Sequence, residues 1–181
     1  MIASLTCYLL RKQDFSSAQE YQQVEWAQAG FLAAAALVNA WRTVGSRSLA
    51  NRYLRAGLSL FCASMLLREV DIDKFGEPPF WDTIELGLRL TLVAGWIWFG
   101  ILALKHRDAL FRVVPVSLLS WCCLLNALGC LLYAASYPFD KFELTIGPLS
   151  AVFLEQTLEL NATIMFLFAA FTPPLAVSTD P

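Results

Sequence analysis

The chain has 181 residues, of which 57% are hydrophobic and only 15% charged, with a net charge of −2. Soluble domains carry about 25% charged residues, so this composition excludes an ordinary water-soluble protein and, with so few basic residues, a nucleic-acid-binding one. A mean hydropathy of +0.55, distributed in blocks of about 20 residues, points instead to helices that cross a hydrocarbon core.

Met1 to Leu10 is apolar and precedes Arg11 and Lys12. A secretory signal has its basic residues first, and ten residues cannot span a bilayer. Segment 1–23 is therefore expected to lie at the interface or pack against the bundle.

Five segments follow with the length and apolarity of membrane spans: Val24 to Val44, Tyr53 to Val70, Trp81 to Leu104, Val113 to Ala135 and Ile146 to Phe171. The first connection, WRTVGSRSLANRYLR, holds Arg42, Arg47, Arg52 and Arg55 and no acid; the third, KHRDALFR, holds Lys105, Arg107 and Arg112 against Asp108. The positive-inside rule puts both in the cytoplasm. The second and fourth connections then lie outside, with Phe75, Phe80, Trp81, Tyr137, Phe139 and Phe142 at headgroup depth. The expected architecture is all-α: a single polytopic transmembrane bundle over residues 1–181, N-terminus outside and C-terminus cytoplasmic. Pro173-Pro174 closes the last helix, where the ring cannot continue it.

The acids follow the same division. Of fifteen Asp and Glu residues only Asp108 and Asp180 fall on the cytoplasmic side. On the outer side this topology gathers Glu25 from the first span, Glu69, Asp71 and Asp73 from the end of the second, Glu85 from the third, and Glu155 and Glu159 from the fifth. Glu69 with Asp73, Glu85 with Arg89 and Glu155 with Glu159 are each four apart, on one helical face. At ~1.5 Å per residue from Ile146, Glu155 lies roughly 13 Å and Glu159 roughly 20 Å along the helix. A carboxylate near the midplane facing lipid costs at least ~2.5 kcal/mol, so it must turn into the bundle.

Seven carboxylates face three cations, Arg68, Lys74 and Arg89. Such a surplus favours shared protons or a bound cation, and hard oxygen ligands suit Ca²⁺, Mg²⁺ or Mn²⁺. Glu69, Glu155 and Glu159 are the principal expected ligands, with Glu25, Glu85 and Asp71 as further ones and Arg68 and Arg89 as charge partners. Gln28, Asn39, Asn126, Asn161 and Thr163 read as hydrogen bonds between or within helices, and Glu85 with Arg89 reads equally well as an intrahelical ion pair.

Catalytic motifs are absent. The only histidine, His106, lies in a basic loop, and no HExxH, Walker or GxSxG pattern occurs. The five cysteines form no CxxC, and inside apolar helices thiols behave as small hydrophobes. Three functions fit: a sensor, small transporter or transporter subunit that binds a cation or proton; an accessory protein with a buried salt-bridge network; and a metal-dependent lipid-modifying enzyme. Membrane lipids and either a second copy or another membrane protein are the expected partners. LREVD closing one apolar helix and FLEQTLEL inside the last resemble small bacterial multi-pass proteins. That resemblance implies the bacterial inner membrane and no particular activity.

Overall fold

The computed structural model describes residues 18–46, 48–70, 72, 79–108, 110–111, 120–142 and 151–173. They form five long helices: α1 (Ala18–Gly45), α2 (Leu49–Glu69), α3 (Phe80–Lys105), α4 (Trp121–Phe142) and α5 (Ala151–Phe171). Residues 1–17, with most of the expected interfacial segment, and Asp71 lie outside the described residues.

The punctuation of the sequence sets the helix ends. Gly45 and Ser46 close the alanine-rich α1, Pro79 stands at the N-cap of α3, and α5 stops before Pro173. A proline contributes no N–H, so helix starts and ends tolerate it best. The fourth helix runs past the expected Ala135 to Phe142 with Pro138 inside it. Polar side chains, buried or exposed, return to their own helix: Ser64 Oγ donates to the Leu60 carbonyl, Thr91 Oγ1 to Gly87, Asn126 Nδ2 to Cys122 and Asn161 Nδ2 to Thr157. Such i−4 bonds satisfy polar atoms where water is scarce.

The main helix pairs are α1 with α2, α1 with α5, α4 with α5, and α2 with α3. Gln28, in the first half of α1, meets Gln156 near the start of α5, and Arg42, in the last turn of α1, meets Thr172 past the end of α5, so these two run parallel. Arg55 meets Asn39 and, one turn on, Ser59 Oγ donates to the Ala36 carbonyl, so α2 runs against α1; Gly129 meets Phe166 and Ser136 meets Glu159, so α4 runs against α5. Between them lies a core of Leu32, Ala35, Cys62, Tyr133, Ala162, Phe166 and Ala170. Phe61 meets Phe166 edge to face at 5.4 Å.

The outermost helix is α3, which docks on α2 through small residues. Phe99 covers Gly57 and Leu60 covers Gly95, each 3.1 Å from where a β-carbon would stand. Trp96 Nε1 donates to Ser64 Oγ at 3.0 Å and Tyr53 Oη to the Leu102 carbonyl at 3.1 Å. Close approach through glycine is how helices pack when no water drives them together. No residue of α3 is buried, and Leu90, Ile97, Trp98 and Leu104 all face outward.

Among the described residues three helices are long and apolar enough to cross a membrane by themselves: α3, α4 over Trp121–Phe139, and α5. The sequence pattern suggested five. Asn51, Arg52 and Arg55 lower the hydropathy of α2, and Glu25, Gln28, Asn39 and Arg42 lower that of α1. Several of these polar groups face inward: Gln28, Asn39 and Arg55 are almost wholly buried, while Leu37, Trp41 and Val44 of α1 are exposed.

Candidate functional site

The end of α2 is a capping turn with charges on both sides of it. Val70 N–H donates to the Leu66 carbonyl and closes the helix, leaving Arg68 and Glu69 in its last turn. Glu69 turns inward and its carboxylate Oε1 accepts a hydrogen bond from the Tyr133 hydroxyl of α4. Arg68 reaches across it. Its NH2 nitrogen lies 3.3 Å from Glu69 Oε1 and 3.4 Å from Glu159 Oε1 of α5, and its guanidinium carbon sits 4.5 Å above the Tyr133 ring centre. An arginine on an aromatic face keeps its edge free for carboxylates.

Glu159 is the buried member, with 8% of its side chain exposed against 57% for Arg68. It is the ninth residue of α5 and accordingly stands ~12 Å from the helix start. Ser136 Oγ lies 3.2 Å from Glu159 Oε1 and 2.8 Å from the Tyr133 carbonyl. A serine has one proton to donate, so it serves either the carboxylate or the carbonyl. When it serves the carbonyl, the contact with Glu159 becomes a hydrogen bond only if the carboxyl carries a proton and donates it to Ser136.

Of the expected site residues, Glu69, Glu159 and Arg68 come together. Glu155 is half-buried, stands one turn before Glu159 and is not without a partner. Glu25 is exposed near the start of α1. Glu85 forms an ion pair with Arg89 inside α3, so Arg89 serves that carboxylate and neither joins the shared contact. Among the described residues no group of three His, Cys, Asp or Glu side chains is placed to hold a metal ion. Glu69 and Glu159 with Arg68 between them are two acids sharing a cation.

Tyr133 and Ser136 are the site residues that sequence reasoning missed. They lie three apart on one face of α4, but a tyrosine and a serine in a span carry no charge surplus to mark them. The polar residues assigned to structural bonds behave so: Gln28 Nε2 donates to Gln156 Oε1 at 3.2 Å, and Asn39 Oδ1 accepts from Arg55 at 2.9 Å.

A cleft of about 340 Å³ lies beside the end of α2, on its α3 side, lined by Leu66, Leu67, Val70, Ile72, Leu88 and Leu92 among others, all apolar except Thr91. Glu69 faces α4 instead, and no carboxylate lines that cleft. No protein-family model, no curated protein and no solved structure matches the chain. The site therefore rests on its own geometry.

Proposed function

We propose that this chain is a polytopic membrane protein, of the bacterial inner-membrane kind, in which the Glu69–Glu159 pair binds a proton on the outer side of the bundle. The observation that carries the reading is the single guanidinium nitrogen shared by two carboxylates from different helices. One positive charge against two negative ones leaves a formal deficit of one, and in a poorly hydrated interior a single proton removes it. The serine contact accommodates either protonation state without moving a helix. A divalent cation needs six or more oxygen ligands for Ca²⁺ and a near-octahedral set for Mg²⁺, and would have to displace Arg68 from the same space.

Membrane residence is supported by the inverted distribution of polarity, with Gln28, Asn39, Arg55 and Glu159 inside and rows of leucine, isoleucine and tryptophan outside. Under this reading α1 and α2 cross in company with α4 and α5, which cover their polar residues. The N-terminus is outside, the C-terminus cytoplasmic, and proton binding serves a sensor, small transporter or transporter subunit.

The test is infrared difference spectroscopy of the purified protein during a pH titration. Wild type should show a protonated-carboxyl band that grows on acidification, and Glu159→Gln should remove it while leaving the helical signal intact. A titration without any band that Glu159→Gln or Glu69→Gln abolishes would sink the proposal. Collapse of both variants to unfolded protein would favour a purely structural ion-pair network, the second reading, which the cation–π contact and the tyrosine bond of Arg68 and Glu69 support.

A further inference from the structure

At the opposite end of the bundle two arginines converge on the end of α5. Arg42 donates from NH1 to the Thr172 carbonyl at 2.8 Å and from NH2 to the Phe171 carbonyl at 2.9 Å. Arg55, wholly buried, donates to Asn39 Oδ1, to the Ala169 and Ala170 carbonyls at 3.3 Å, and to Thr172. These bonds cap the helix, whose C-terminus carries about half a negative charge. Two full positive charges face it, and among the described residues neither arginine pairs with a carboxylate. A surplus of more than one positive charge remains.

Donors remain as well. A guanidinium has five N–H bonds, of which Arg42 uses two here, and the Nε of Arg55 is buried without any partner. Both side chains line a cleft of about 400 Å³ with Trp41, Gly45, Ser46 and Pro173. Beside it Leu37, Trp41 and Val44 form an outward apolar row on α1, 71%, 75% and 84% exposed. They are spaced four and three apart, on one helical face.

We propose that this cleft binds a phosphate-bearing anion, with Arg42 and Arg55 supplying the charge and Ser46 a hydroxyl donor. The planar fork of arginine matches the oxygens of a phosphate. The ligand is either the headgroup of an anionic phospholipid, its chains running along Leu37, Trp41 and Val44, or free phosphate. The site stands apart from the Glu69–Glu159 pair and does not depend on its protonation.

Native mass spectrometry of the full chain in detergent, with short-chain phosphatidylglycerol, inorganic phosphate and a diacylglycerol of the same chains, tests this. Saturable binding of phosphatidylglycerol but not of phosphate assigns the lipid; equal binding of both assigns the phosphate itself. Diacylglycerol should not compete. Gly45→Asp is the decisive variant, because a β-carbon at 45 meets nothing within 4 Å and the new carboxylate cancels charge without touching a cap. It should weaken binding at least about tenfold, the scale of one charged hydrogen bond, as should Arg42→Gln, while Gly45→Ala binds as wild type. Failure of both anions to bind saturably, wild-type affinity in Gly45→Asp, or equal loss in Gly45→Ala overturns the proposal.

Discussion

The ring of Phe166 lies against the backbone of Gly129, so close that a β-carbon at 129 would stand 2.5 Å from its Cε1 atom. Glycine is what lets α4 approach α5 here, and the core builds on that approach, because Phe166 is also the edge-to-face partner of Phe61. Gly129→Ala should destabilise the protein by about 1–3 kcal/mol, the usual cost of forcing atoms into a packed interior. Thermal unfolding in detergent reads the loss directly, and an unchanged midpoint would show that the two helices can part without penalty.

Arg55 predicts a different kind of failure. Methionine at 55 preserves the bulk but withdraws the donors from Asn39 and from the carbonyls at the end of α5. A loss of at least about 2 kcal/mol is expected, since buried acceptors left unpaired cost ~1–3 kcal/mol each. Hydrogen exchange should quicken first in the last turn of α5. Arg55→Lys should fall between, because an ammonium supplies charge but not the fork.

Glu69 and Tyr133 should prove energetically coupled. Each of Glu69→Gln and Tyr133→Phe alters one partner of a charge-assisted bond, and the double variant should lose less than the sum, with a coupling of about 1–2 kcal/mol. Additive losses in a denaturation series would mean that the hydroxyl contributes nothing to Glu69.

The pair on α3 should behave oppositely. Arg89 is 62% exposed and Glu85 is its neighbour one turn away, so Arg89→Ala should change stability by no more than about 0.5 kcal/mol. It should also leave the carboxyl titration untouched. A titration altered by Arg89→Ala would place the working acids on α3 rather than between α2 and α5.

The helices were legible from the sequence because apolar length and proline or glycine punctuation mark them directly: Gly45, Pro79 and Pro173 sit at ends. Glu69, Glu159 and Arg68 were legible as well, since a charge amid leucines stands out. The expected convergence of Glu25 and Glu85 with them is not found, because the direction in which a side chain leaves its helix depends on which neighbours pack there. Glu85 lies on a helix that touches α2 alone among its main partners, and an arginine four residues on satisfied it locally. Tyr133 and Gly129 were invisible for a related reason: a tyrosine or a glycine in a span has many uses, and only the partner opposite selects one.

Arg55 and Arg68 stand thirteen positions apart on α2, or ~20 Å along its axis. Around the first the charge is in positive excess, and around the second the two carboxylates tip it negative. The bundle thus carries an electrical moment along its length. In a bilayer held negative on the cytoplasmic side, each elementary charge exchanges ~2.3 kcal/mol per 100 mV crossed. Under the proposed membrane reading the voltage favours the orientation that the basic loops also predict, with the Arg55 end towards the cytoplasm, and it acts on the Glu69–Glu159 end only while that pair lacks its proton.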